Sequence, residues 1–325
     1  MVVTTDDANA SAQQSQQVIQ PAQPTLGRLG PDVSPGYLSL AWRKLRRDRM
    51  AMTGLVLIGL IVLAAILAPV LSPYDPAEQF RDGLTMDGQP IPSTLITEGS
   101  LRFPLGTDAN GRDLLSRILY GARVSLVVGV LANMIALALG VLVGTVAGFF
   151  GNPLEMILMR FTEIMMAFPT LLLAMALVAI LSPSMWVIIT VIGLVYWTWV
   201  ARVIYGQVVS LRTREFITAA YAVGVRRWAI LFRHLLPQLT STIIVWGTLG
   251  IATNVMLEAS LSYLGIGVQP PTPSWGGMIQ QAQSYYRTAP WLLIFPGMAI
   301  MITVMAFNLL GDGLRDALDP VQRKV

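Results

Sequence analysis

Long apolar runs separated by short polar loops dominate this chain from residue 50 onward. Met50–Tyr74, Val124–Leu154, Leu235–Leu257 and Thr288–Gly311 contain no charged residue, and a membrane-crossing helix needs about 20 apolar residues. A fifth charge-free run, Ile164–Ala201, is 38 residues long. That is too long for one crossing, and Ser182-Pro183-Ser184 within it reads as a turn between two spans. The pattern therefore predicts an all-α, polytopic membrane protein with six transmembrane helices. The third begins before Ile164 and takes in Arg160 or Glu163. Ser72-Pro73-Tyr74-Asp75-Pro76 stops the first helix.

The polar segments give orientation. Arg43, Lys44, Arg46, Arg47 and Arg49 precede the first span, and short basic loops stay on the cytoplasmic side. Residues 72–120 carry seven acids against four arginines, as an outer loop does. The 206–238 loop holds Arg212, Arg214, Arg226, Arg227 and Arg233 against Glu215 alone. With six spans, that loop, the N-terminus and the C-terminal residues Arg315, Arg323 and Lys324 are all expected to be cytoplasmic. The expected organisation is a disordered tail (1–40), a first-span region (41–74) and an extracytoplasmic loop (75–120). A five-helix core (121–312) and a cytoplasmic tail (313–325) follow. In the outer loop, Thr107 or Asp108 caps a short amphipathic surface helix bearing Leu114, Leu115, Ile118 and Leu119. The second outer loop, 265–287, is expected to follow a non-helical path because of its prolines and glycines.

Composition narrows the class. Hydrophobic residues make up 54% and charged residues 12%, against roughly 25% charged in soluble domains. The net charge of +4 is accounted for by membrane orientation, so no nucleic-acid partner is expected, while lipid is. With no cysteine, disulfides, iron–sulfur clusters and thiolate metal sites are excluded. His234 is the single histidine, which leaves no histidine metal cluster and no supported Ser–His–Asp site; no catalytic, metal or cofactor residue is assigned. The only lysines, Lys44 and Lys324, lie outside any Gly-rich loop. A P-loop places its lysine within Gly-x4-Gly-Lys-Ser/Thr, so ATP chemistry does not belong to this chain.

The basic loop has an internal order. Glu215–Val223 favours a helix on which Ala219 and Ala220 leave a nearly bare patch. Gly224 can then take the left-handed conformation that ends a helix. Val225, Trp228, Leu231, Phe232 and Leu235 recur at helical spacing, and Pro237 breaks or restarts the chain before the fifth span. Two short helices meeting at a glycine are expected, the second lying along the membrane interface.

That loop resembles the signature of permease subunits of ATP-binding-cassette importers, which reads Glu-Ala-Ala, three residues, Gly, nine residues, Ile-x-Leu-Pro. Ala219, Ala220, Gly224, Leu236 and Pro237 match in spacing. Thr218 stands at the Glu position and His234 at the Ile position, with Glu215 one turn earlier. The Leu105–Asp113, Leu261–Pro271 and Asn308–Pro320 segments resemble the second permease of the dipeptide and oligopeptide branch; nickel and glutathione importers are similar in the same segments. The resemblance implies a type I importer permease fold. It also implies a second permease subunit, two ATPase subunits that carry ATP and Mg, and an extracytoplasmic solute-binding protein. In it, Glu215, Thr218, Ala219, Ala220, Gly224, Leu236 and Pro237 form the ATPase-coupling motif.

Glu258 and Asn254, within the fifth span, either line the path or hold helices together. Asn133 and Asn308 are expected to hold helices together, and Trp186, Tyr196, Trp197 and Trp199 to pack or anchor. An ion-coupled secondary transporter using Glu258 or Glu163 is the alternative from another class, though no internal repeat supports it. Gly83, in the outer loop, reads as tolerant of substitution.

Overall fold

The computed structural model describes residues 37–95 and 100–319. The expected disordered tail, 1–40, lies outside them up to residue 36, as do Arg323 and Lys324. The chain divides into two units, Met1–Ser39 and Leu40–Val325. Of the first unit only residues 37–39 are described, and they open a helix, α1 (Tyr37–Leu45).

Among the described residues the regular elements of the second unit are all helices, without a named strand, and the long 72–113 segment is mostly loop and turn. The first span is α2 (Arg49–Ile66), continued by a single turn, α3 (Ala68–Leu71). Asp48 caps α2 by accepting from the Met50 and Ala51 amides, and the helix ends at Ser72, before Pro73. The second span, α4 (Leu114–Phe150), is 37 residues long. It absorbs the amphipathic surface helix expected before it: Leu114 is buried as the first residue of the span itself. The cap is Asp113 rather than Thr107 or Asp108, its Oδ2 accepting from the Ser116 amide at 2.8 Å.

The third span is broken. Helices α5 (Leu154–Ala167) and α6 (Thr170–Leu181) meet at 90°. Pro169 disfavours helical backbone in the residue before it, and Phe168 is accordingly extended, at φ −86° and ψ 135°. Arg160 and Glu163 both fall on α5, as an exposed ion pair at 3.0 Å. The Ser182–Ser184 turn lies where expected, and Ser184 caps α7 (Met185–Arg212) through the Val187 amide. The basic loop contains α8 (Glu215–Ala222) and α9 (Arg227–Ile230). A π-helical turn, Leu231–Leu235, and a 3-10 turn, Leu236–Leu239, then lead directly into α10 (Thr240–Tyr263). Two helices remain, α11 (Trp275–Ala282) and α12 (Trp291–Leu318). Helix α11 corrects the expectation of a wholly non-helical second outer loop. Ser274 accepts from the Gly277 amide at 3.2 Å and starts it as a serine N-cap.

Among the described residues five helices are long and apolar enough to cross a membrane, and the α5–α6 pair brings the count to six if it is one span. The largest helix–helix contact is α4 against α7. Gly140, Gly144 and Gly148 create it: a Cβ on each would lie 2.5 Å from Val200 Cβ, 2.5 Å from the Ala201 carbonyl oxygen and 2.8 Å from Val208 Cβ. In lipid, where apolar burial gives little drive for association, such small-residue ridges let backbones pack closely. Helix α7 is the most enclosed span, 67% buried. Helices α2 and α12 meet at Gly54 and Gly313, which face Ala306 and Ala51.

Candidate coupling loop and buried polar clusters

The basic loop is an exposed helix held on a buried base. On α8 only Ile217 is buried; Glu215, Phe216, Thr218 and Ala219 are exposed and Ala220 is half-buried. The helix ends at Gly224 with φ +82°. The Gly224 amide donates to Tyr221 O at 3.0 Å and the Val225 amide to Ala220 O at 3.1 Å. This paired closure needs a left-handed residue between its two bonds. No atom lies within 4 Å of where a Gly224 Cβ would stand, so the glycine answers to backbone conformation and not to crowding.

The second half departs from two separate helices. Pro237 has no amide hydrogen, and its ring would clash with the carbonyl four residues back in a regular helix. The chain widens instead: the Leu236 amide donates to Leu231 O, a π-type bond that re-routes the ladder around the proline. Arg227–Tyr263 thus runs on as one apolar stretch, with Pro237 in its interior. Ile230, Leu231, Leu235 and Leu239 are buried beneath it with Ile217, Phe149 and Ile204, whereas Trp228, Phe232, Arg233 and His234 point outward. Arg212 ties the loop's root to α4, donating to Gly148 O at 2.8 Å, and lies 3.8 Å from Glu155. Tyr205 donates to the same Glu155.

At the opposite end, the Leu105–Asp113 segment forms a buried polar knot that the residue pattern gave no reason to expect. Asp108 Oδ2 accepts from Arg112 Nε at 2.7 Å and lies 3.3 Å from Arg117 Nε. Both guanidinium groups donate to Gln281 Oε1 of α11, at 3.1 and 3.3 Å, and Arg117 also donates to Pro76 O at 3.2 Å. The knot fastens the long outer loop to α4 and α11. Next to it, burial pushes the Asp113 carboxyl above its ordinary value, against the opposing pull of the Ser116 hydroxyl and amide. Its Oδ1 has no hydrogen-bond partner. Gly83 is built into the same segment: a Cβ there would stand 2.4 Å from the Gly111 carbonyl oxygen, so the expectation of tolerance fails for lack of space.

Glu258 is fully buried. Ser125 of α4 donates to its Oε2 at 2.9 Å and Ser262 to its Oε1 at 2.7 Å, and the Trp275 amide, at the start of α11, donates to the same Ser125 hydroxyl at 3.5 Å. The cluster therefore gathers α4, α10 and α11. Asn254 donates to Asn133 Oδ1 at 3.3 Å, and Asn133 donates to Gly247 O at 2.7 Å, which joins α10 to α4. Asn308 departs from the expectation: it is exposed on α12 and has no helix to hold within this chain. Trp197 is buried and stacks on Phe161, while Trp186 and Trp199 face outward. Among the described residues no group of three His, Cys, Asp or Glu could hold a metal ion.

Residues 140–324 match the family described as binding-protein-dependent transport system inner membrane component. The chain belongs to that family. Residues 36–88 match the N-terminal transmembrane domain of oligopeptide transport permease C, which places this permease on the dipeptide and oligopeptide branch. The di/tripeptide transport system permease DppC of Pseudomonas aeruginosa is 41% identical over 89% of this chain and 93% of its own. The dipeptide permease DppC of Alkalihalophilus pseudofirmus is 41% identical over 86% and 88%. The glutathione permease GsiD of Escherichia coli is also 41% identical, over 86% and 89%. The inward-facing MetNI methionine ABC transporter shares the fold, with TM-score 0.53 and 17% identity over 62% of this chain and 96% of that one. This permease is thus a multi-pass inner-membrane protein with the ABC importer permease fold.

Proposed function

We propose that this chain is one of the two permease subunits of an ATP-driven importer of short peptides. An extracytoplasmic binding protein delivers solute, and two ATPase subunits carrying ATP and Mg supply the drive. Their motion enters through Glu215–Pro237, with α8 seated in a cleft on the ATPase. The N-terminus, the basic loop and the C-terminus face the cytoplasm. The observation that carries this reading is the form of the loop: an exposed small-residue helix, closed by Gly224 at φ +82°, on a base buried against two spans.

Peptides are favoured as the solute by the names of the most similar relatives. Glutathione, itself a short peptide, stays within the class because the glutathione permease is as similar as the dipeptide permeases. The chain performs no chemistry on its solute and, lacking a P-loop lysine, binds no nucleotide.

The test is reconstitution in proteoliposomes with candidate second permease, ATPase and binding-protein subunits. ATP-dependent uptake of a labelled dipeptide is expected only with all components present. ATP hydrolysis by this chain alone, or uptake driven by an ion gradient without ATPases, overturns the proposal.

A further inference from the structure

Two cavities border α10 and α12. One, of about 510 Å³, is lined by Met256 of α10 and by Met301, Met305, Asn308 and Asp312 of α12, among others. The second, of about 1290 Å³, opens beside α8 and is lined by Gln207, Thr242, Leu249 and Arg315, with Glu215 at the coupling helix. Positions 301, 305, 308, 312 and 315 recur every three or four residues along α12, and 242, 249 and 256 recur every seven, two turns, along α10. Each set is one helical stripe, so both cavities draw on the same faces of α10 and α12, and the smaller one is a groove between these two helices.

The groove differs in composition from the aliphatic faces of α2 and α6. On α2 and α6 the chain exposes aliphatic side chains, such as Val56, Leu60, Leu63 and Ile66 on α2 and Leu172 and Ile180 on α6, as a lipid-facing surface does. Along the groove stand exposed methionines, an amide and a carboxylate. Polar and ionisable groups on membrane helices turn toward protein or water, because facing lipid costs them a few kcal/mol. A dry contact with another subunit is built from small residues that let backbones approach, as at Gly140–Gly148, whereas this stripe carries long, flexible side chains. Methionine adapts to apolar partners of differing shape, as a path for peptides of many sequences requires. Asp312 and Arg315, about one turn apart, present both signs of charge to a solute that carries an ammonium at one end and a carboxylate at the other.

We infer that the α10–α12 groove is this chain's half of the aqueous solute path, and that Met256, Met301, Met305, Asn308 and Asp312 touch the passing peptide. The inference rests on the reading of the chain as a peptide-importer permease.

The cysteine-free sequence makes the test direct. Single cysteines replace Met301, Met305 and Asn308, with Leu60→Cys on α2 as the lipid-facing reference, in the transporter assembled with its partners in proteoliposomes. The probe is a cationic, water-borne methanethiosulfonate. Only thiolates react, and a thiol in apolar surroundings stays protonated, so the three groove positions are expected to react roughly tenfold or more faster than position 60. A dipeptide offered during ATP turnover is expected to slow them. A complex that takes up peptide while position 305 reacts no faster than position 60 overturns the groove. So does a Met305→Cys thiol that is shielded from the reagent and that an added oxidant joins in a disulfide to a cysteine introduced on the second permease. A complex that labels rapidly at 305 but takes up no peptide overturns the peptide reading instead.

Discussion

Replacing Gly224 separates coupling from folding. Its φ of +82° lies where a side chain clashes with its own backbone, at a cost of roughly 1–2 kcal/mol for an ordinary L-residue. The cost is smaller for Asn, which visits this region, and larger for β-branched residues. Crowding adds nothing, because no atom lies within 4 Å of the Cβ position. The penalty therefore falls on the paired closure from Gly224 to Tyr221 and from Val225 to Ala220, and not on the buried base. One to two kcal/mol corresponds to a factor of roughly 5–30 in a two-state population. Gly224→Val should lower the fraction of α8 in its docked geometry by about that factor or more. Uptake in proteoliposomes should rank Gly, then Asn, then Ala, then Val, at unchanged expression and unchanged thermal stability in detergent. Gly59→Ala, on an open face of α2, is the control; Gly83 cannot serve, because its Cβ would meet Gly111. If Gly224→Val takes up peptide at the parental rate, the loop is not the coupling element. If it fails to fold, the claim of a purely local cost is wrong.

Other perturbations reach different parts of the molecule. Glu258→Ala should lower the melting temperature in detergent more than Glu258→Gln, since alanine leaves buried hydroxyls without an acceptor at about 1–3 kcal/mol; equal shifts would refute the three-helix tie. Asp108→Asn should destabilise the outer segment by about 3–5 kcal/mol, because two buried arginines lose their counter-charge. Limited proteolysis between residues 75 and 113 reads this out, and unchanged resistance would count against the knot. Asp113, raised above 3.8 by burial, binds its proton more readily folded than unfolded, so stability should fall as pH rises through its folded pKa. Asp113→Asn should remove that component of the melting profile, and a variant profile parallel to the parent's would refute it. For topology, a cysteine at Val223 should resist an impermeant thiol reagent in intact cells while one at Gln89 reacts; labelling at 223 alone would invert the orientation.

The spans were legible because bilayer thickness constrains sequence so strongly. Apolar length and loop charge suffice to find them, and Ser182–Ser184 announces its turn with a proline. The bend at Pro169 carried the same signal, but the charge-free run around it hid it, since apolar length says nothing about direction. Gly140-x3-Gly144-x3-Gly148 was equally readable as a packing ridge and marks the most extensive helix–helix contact among the described residues. Helix α11 was obscured by the prolines before it, although Ser274 ahead of Trp275 is an ordinary cap. The loop's glycine and alanines could be placed from spacing, whereas the π turn before Pro237 could not, because proline permits either a break or a widened turn. The partners of Asp108 and Glu258 come from helices far apart in sequence, and only tertiary packing brings them together.

Under the proposed function, in which an ATPase moves α8, the loop and the α4–α7 seam together would act as a lever. Ile217 of α8 lies in one buried cluster with Leu235 and Leu239 below the loop, with Val208, Ile204 and Val200 along α7, and with Ala136 of α4. Cores packed this densely shift between arrangements as blocks rather than deforming smoothly. The glycine ridge leaves no slack, since a Cβ at Gly140 or Gly144 would already overlap α7. Arg212 on Gly148 O pins the loop's root to the same block. Displacement of α8 must therefore move α7 and α4 together, carrying α10 through Asn254–Asn133 and Glu258–Ser125. The Glu258 tie also reaches α11 through the Trp275 amide on Ser125, so the block extends to α11. The exposed stripe on α12 belongs to none of these polar ties. Motion of the block would thus reshape the α10–α12 groove from its α10 wall, which is the movement that alternating access at that groove demands.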